Sequence, residues 1–266
     1  VVELSALSQL FEDRVNDGYL YGDFQFNINQ KSSDFLTVGI FSSYRPVAPL
    51  QSMPKPKQRL SKAKWEQLLV LTVSDKQKAY EMYRDYYKST DGQYYWSDTH
   101  QLSVYNPDYM DVIHDALPQY NNHSLMISEL YVPLNQLESF MMSVKTLAKD
   151  TKMNIAYGTV RLIKQDTESV LAWANQDYAC VIFNLMVDHS AAGIATAKQQ
   201  FQALIDQALK RNGSFFLTYH RWATQSQILT AYPQFPEFLN QKLKHDPNER
   251  FQSNWYRHYK QMLFSN

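Results

Sequence analysis

Between residues 123 and 221 the apolar residues change period in an order that few folds can use. Residues 125–132 read as a strand. Residues 134–149 then repeat at helical spacing through Leu134, Leu137, Met141, Val144 and Ala148. Two further strand-like runs follow at 156–164 and 178–187. Residues 194–211 hold the 3.6-residue period through Ile194, Ala197, Phe201, Leu204, Ile205, Ala208 and Leu209, with Gly213 just past the end. A last strand is predicted over 215–220. Strand–helix–strand–strand–helix–strand is the split βαβ, or ferredoxin-like, order. Its connections dictate an antiparallel sheet with both helices on one face. The predicted class is therefore α+β. A ferredoxin-like βαββαβ core spans 121–222, an irregular N-terminal α/β extension 1–120, and a helical C-terminal tail 223–266.

The extension reads as a short helix at 4–14 and two strands, 19–28 and 35–44, joined through the turn-like residues 29–34. A Pro-rich loop over 45–57 leads into two helices. The first covers about 62–71; the second is announced by Ser74-x-x-Gln77, read as a capping box, and runs to Lys88. Tyr80, Tyr83 and Tyr87 stripe one face of it, a spacing that reads as packing.

Strand parity assigns faces, because alternate residues share a side. Val160 and Leu162 suit the helix-covered side, as do Val181, Phe183, Leu185 and Val187. Glu129, Tyr131, Thr159, Arg161, Asn184, Thr218 and His220 then fall on the uncovered face. A sheet face that merely met water would carry short charged residues. This mixture of carboxylate, aromatic, amide, guanidinium and imidazole is expected to meet something.

Composition narrows the function. The chain has 7 glycines among 266 residues, against about 19 at ordinary usage. Folds that cradle phosphates on backbone N–H groups consume glycine, and neither G-x-G-x-x-G nor G-x-x-x-x-G-K-[ST] is present. Lys+Arg and Asp+Glu are both 26, which leaves no electrostatic footprint for nucleic acid. Lys55, Lys57, Arg59, Lys62 and Lys64, interrupted by Pro54 and Pro56, read as a solvated linker and helix start. The single Cys180 sits in an apolar run, so a disulfide framework and a thiol nucleophile are both unsupported. The histidines lack metal-ligand spacing, and G-x-S-x-G is absent. With no apolar run long enough for a membrane span and no visible signal peptide, a cytoplasmic protein is expected.

Six strings, in order, carry a resemblance: Tyr21–Phe26 (YGDFQF), Glu129–Pro133 (ELYVP), Tyr157–Ile163 (YGTVRLI), Leu217–Trp222 (LTYHRW), Tyr232–Phe235 (YPQF) and Asp246–His258 (DPNERFQSNWYRH). Together they resemble the C-terminal, substrate-covering cap of FAD-linked oxidases and dehydrogenases, the superfamily of vanillyl-alcohol, alditol and sugar-lactone oxidases. The resemblance runs from about residue 2 to residue 259. It implies an N-terminal FAD-binding domain outside this chain as partner, FAD as cofactor held mainly there, and a small-molecule substrate. The glycine shortage and the start at Val1 then have one explanation, and the chain alone is expected to be catalytically inert.

The resemblance also implies roles. Arg161 matches an arginine that lines the substrate side of the flavin, where a guanidinium clamps an anion or oxyanion. His220 is the expected base or proton shuttle. Glu129, Tyr131, Thr159, Asn184, Tyr219 and Arg221 are expected to bind substrate, and Gln252, Ser253 and Asn254 to lie near the flavin. Thr159 stands where an acidic residue is often found, and Ala223 and Thr224 where a lysine follows the His-Trp pair. These departures argue against a simple polyol or aldonolactone substrate. The rival reading is a stand-alone ferredoxin-like ligand-binding or regulatory module without redox activity. A plain homodimer surface is the remaining alternative, and it implies a concentration-dependent dimer.

Overall fold

The computed structural model describes residues 1–48, 52–55, 58–96 and 109–264; Lys57 and His100, and part of the loop over 45–57, lie outside them. In chain order the elements are β1 (Val2–Glu3), α1 (Leu7–Asn16), β2 (Tyr21–Phe26), β3 (Val38–Tyr44), α2 (Lys62–Ser74), α3 (Lys76–Ser89) and α4 (Tyr109–Ala116). There follow β4 (His123–Val132), α5 (Leu137–Asp150), β5 (Ile155–Ile163), β6 (Tyr178–Asp188), α6 (Ala191–Leu209) and β7 (Ser214–Phe215). The tail holds α7 (Gln225–Ala231), α8 (Phe235–His245) and α9 (Asn254–Phe264). None of the described helices is long and apolar enough to cross a membrane.

The α+β class holds: seven antiparallel strands lie in the order β1-β3-β2-β5-β6-β4-β7. The last four, β5-β6-β4-β7, keep the order that the split βαβ connections dictate. The sheet does not stop at residue 120, because β2 pairs with β5 through Phe24 and Val160 and carries β3 and β1 beyond it.

One face carries the main core. Phe24, Phe26, Leu130, Val132, Val160, Val181, Phe183 and Leu185 point to it. They meet Phe140, Met141 and Val144 of α5, Phe201, Leu204 and Ile205 of α6, and Leu7 and Phe11 of α1. Each such side chain, fully buried, contributes about 1.5–3 kcal/mol. The same cluster continues past β7 into the tail through Ile228, Tyr232, Phe235 and Tyr259. The other face is covered in part by α2 and α3, whose Leu68, Ala79 and Tyr83 pack on Ile40 of β3.

Two local expectations are corrected. The predicted capping box at Ser74 is not the start of α3. Ser74 belongs to α2 and its Oγ donates to the Val70 carbonyl at 2.9 Å. The cap is Asp75, which alone separates the two helices and accepts from the Lys78 N–H at 3.1 Å. The predicted strand over 215–220 is cut to Ser214–Phe215. The Phe216 N–H still donates to the Glu129 carbonyl at 2.9 Å, but the Leu217 carbonyl accepts from Trp255 Nε1 of α9 at 3.0 Å.

Candidate functional site

The register places the second-face side chains in transverse rows. Tyr131 and Arg161 both stand opposite Cys180, Glu129 and Thr159 both opposite Ile182, and Tyr157 and Ile127 both opposite Asn184. At one end the segment before β6 covers this face. Trp173 meets Tyr131 edge-on with ring centroids 5.5 Å apart, and Ala174, Tyr178 and Cys180 complete a small buried cluster. Burial pushes the Cys180 thiol well above its ordinary range, consistent with inert core.

Next to that cluster Glu129 collects two phenols. Tyr131 Oη donates to one carboxylate oxygen at 2.6 Å and Tyr219 Oη to the other at 3.1 Å. Desolvation first, then the bond to Glu129, pushes Tyr131 far above the usual tyrosine range. The same causes raise half-exposed Tyr219 to about 12, so both hydroxyls stay protonated and serve as donors. Arg161 stands exposed in the same strip and makes no ion pair among the described residues. Its charge opposes the upward push on Tyr219, Cys180 and Tyr157. Because Tyr131 is wholly buried, Glu129→Leu strands its hydroxyl. The expected cost is about 1–3 kcal/mol in urea unfolding, and Tyr131→Phe in the same chain should recover most of it.

Further along, the face opens under α2, α3 and α4 into a cavity of about 1070 Å³. Its floor comes from the sheet: Asp23 and Gln25 of β2, Tyr157 of β5 and Asn184 of β6. Its roof includes Trp65, Leu68, Tyr80, Tyr83 and Tyr87. The tyrosine stripe read as packing thus packs and lines at once. Asp23 and Gln25 were absent from the expected site, though their alternation with Phe24 and Phe26 places them on this face. Thr159 is fully buried and its Oγ1 donates to Asp23 at 2.7 Å, tying β5 to β2 beneath the cavity.

Glu129, Tyr131, Thr159, Arg161, Asn184 and Tyr219 therefore share the second face. His220 does not. It is buried on the helix side, its ring 4.4 Å from that of Phe201 and stacked on Trp222 at 5.7 Å. The parity count assumed a strand through 220; the strand ends at Phe215 and the count fails beyond it. Desolvation alone holds the His220 imidazole down at about 4. Arg221 turns to the tail and donates from Nη1 to the Asn254 carbonyl at 3.0 Å. Gln252, Ser253 and Asn254 lie exposed at the start of α9, where Ser253 Oγ accepts from the Tyr256 N–H at 3.1 Å.

These residues do not make a cradle for FAD by themselves. At Gly22, Gly39, Gly158, Gly193 and Gly213 an added Cβ would fall within 3.0 Å of the chain's own atoms. Gly18 and Gly92 occupy turns with φ of +80° and +70°. Five of the seven glycines are thus taken up by close packing within the fold, and Gly18 and Gly92, with open space about them, stand in separate turns with no G-x-G-x-x-G spacing to form a phosphate loop.

No protein-family model matches the chain. No curated protein sequence matches it either. Among solved structures it is similar to 4-ethylphenol oxidase from Gulosibacter chungangensis in its isoeugenol complex, at 13% identity and a TM-score of 0.36. The likeness covers 65% of this chain and 35% of that one, so this chain spans about a third of the oxidase's length. A likeness that loose carries no argument about activity.

Proposed function

We propose that this chain is the substrate-binding cap of an FAD-dependent oxidoreductase, working with an FAD-binding domain that supplies the grip on the dinucleotide. The observation that carries the reading is the strip of the second face between the two covered ends. There an exposed guanidinium, Arg161, with no ion pair among the described residues, stands one row along the sheet from Glu129, a carboxylate whose two oxygens each accept from a tyrosine hydroxyl. The order of the six strings in the sequence supports it. A guanidinium keeps its charge and donates in a fixed fork, so Arg161 suits an anionic or carbonyl oxygen on the substrate. Glu129 fixes the Tyr219 hydroxyl at the edge of the same strip and thereby orients it. His220, packed on the helix side, has no part in the reading.

Purified alone, the chain should show no flavin absorbance; stoichiometric bound flavin overturns the division of labour. In the product of a reading frame that joins it to an FAD-binding domain, Arg161→Ala should lower kcat/KM by about 10²-fold with flavin content intact. An unchanged kcat/KM removes Arg161 from the site.

A further inference from the structure

Three residues that line the cavity under α2–α4 carry polar atoms left without a partner among the described residues. Neither the Gln25 nor the Asn184 carboxamide makes a hydrogen bond among the described residues, and the oxygen of each is buried without a partner. The Tyr80 hydroxyl is likewise buried and unpaired. All three residues line the same cavity. Buried polar atoms are rarely left so, and each costs free energy unless something else satisfies it. That they gather on one cavity, from β2, β6 and α3, is not what packing alone produces.

The remaining lining indicates what fits. Tyr83 and Tyr87 hold their rings 4.4 Å apart at the roof, with Trp65 alongside and Tyr157 below. These walls offer aromatic faces for a flat molecule. The charged groups do not favour an ion inside. Arg59 and Lys62 are exposed, Lys62 pairing with Glu66 at 3.6 Å, and Asp23 already accepts from Thr159. A carboxamide presents a donor beside an acceptor and can turn end for end. Its natural complement is another group with N–H beside C=O. The volume matches sites that take drug-sized molecules.

We propose that this cavity binds a small, uncharged, planar molecule with an amide-like edge, held between the Gln25 and Asn184 carboxamides and the aromatic roof. The site is built wholly by this chain and does not rest on the flavin reading, so it can be tested on the chain as it stands. The probe is quinolin-2-one, a fused-ring lactam, titrated into ¹⁵N-labelled protein. Naphthalene, without the polar edge, and naphthalene-2-carboxylate, with a charge, are the comparisons.

Saturable shifts of the side-chain NH₂ signals that Gln25→Leu and Asn184→Leu identify are expected, with each variant binding about tenfold more weakly. Each variant should also melt no lower than the parent, because it removes a polar atom that had no partner. That second readout separates a binding role from a structural one. The proposal is overturned if quinolin-2-one shows no saturable binding, or if naphthalene or the carboxylate binds as tightly. A drop in melting temperature with unchanged affinity also overturns it.

Discussion

Gly158→Ala should destabilise the protein by about 3 kcal/mol or more, read as a lowered urea midpoint with an unchanged slope. Gly158 lies in β5 with its α-carbon toward the helix-covered side, where the Phe26 ring lies over it. An added Cβ would stand 2.1 Å from Phe26 Cζ, 2.5 Å from Cε2 and 2.7 Å from the Ile182 carbonyl oxygen. Phe26 cannot swing away, because its ring is buried beside Phe183 at 5.5 Å between centroids. The contact therefore has to be relieved by separating β5 from its neighbours, in the middle of the sheet that positions Tyr157, Thr159 and Arg161. In a Phe26→Leu background the added cost of Gly158→Ala should shrink by at least about 1 kcal/mol, since a smaller side chain removes the nearest obstacle. Strict additivity of the two changes would show that the ring is not what excludes the methyl group.

The second large effect is a pH dependence carried by His220. Its imidazole is held down at about 4 against an ordinary 6.5, and desolvation is the cause. The unfolded chain therefore binds a proton that the folded one refuses between those two values. Stability is complete above pH 6.5, declines as pH falls through the window, and levels off below about 4 as far as this group is concerned. The total is about 3 kcal/mol. His258, lowered by burial and by Arg221, adds a smaller slope of the same sign. The carboxylates held low, such as Asp246 at about 2 beside Lys242, lose their contribution at lower pH, below the ordinary aspartate value of 3.8. His220→Phe keeps a ring against Phe201 and Trp222 and should flatten most of the decline between pH 6.5 and 4. A slope that persists in full would place the titrating group elsewhere.

Much of the architecture is legible from periodicity. The stripe Ile194–Ala197–Phe201–Leu204–Ile205–Ala208 says where α6 lies, and all but Ile194 are buried on the sheet. Parity sorted Glu129, Tyr131, Thr159, Arg161 and Asn184 onto one face because β4, β5 and β6 are long and regular. The register shift in β5 falls between Ile155 and Tyr157, ahead of the residues that mattered. Parity failed at His220 for the opposite reason. Past the strand's end the Leu217 carbonyl is taken by Trp255, 38 positions away, and no local pattern reports that contact.

The site divides in the same way. Side-chain alternation is a property of neighbouring residues, so which groups share a face, including the overlooked Asp23 and Gln25, is written in the order of amino acids. Whether a face is open, roofed or filled depends on elements far apart in the chain. The place of α2 and α3 is set by Leu68, Ala79 and Tyr83 packing on Ile40 of β3. That packing turns a polar sheet surface into a cavity lined by two carboxamides without partners among the described residues, while Arg161, outside the lining, stays exposed. Local spacing sets direction along a strand; long-range packing sets what lies opposite.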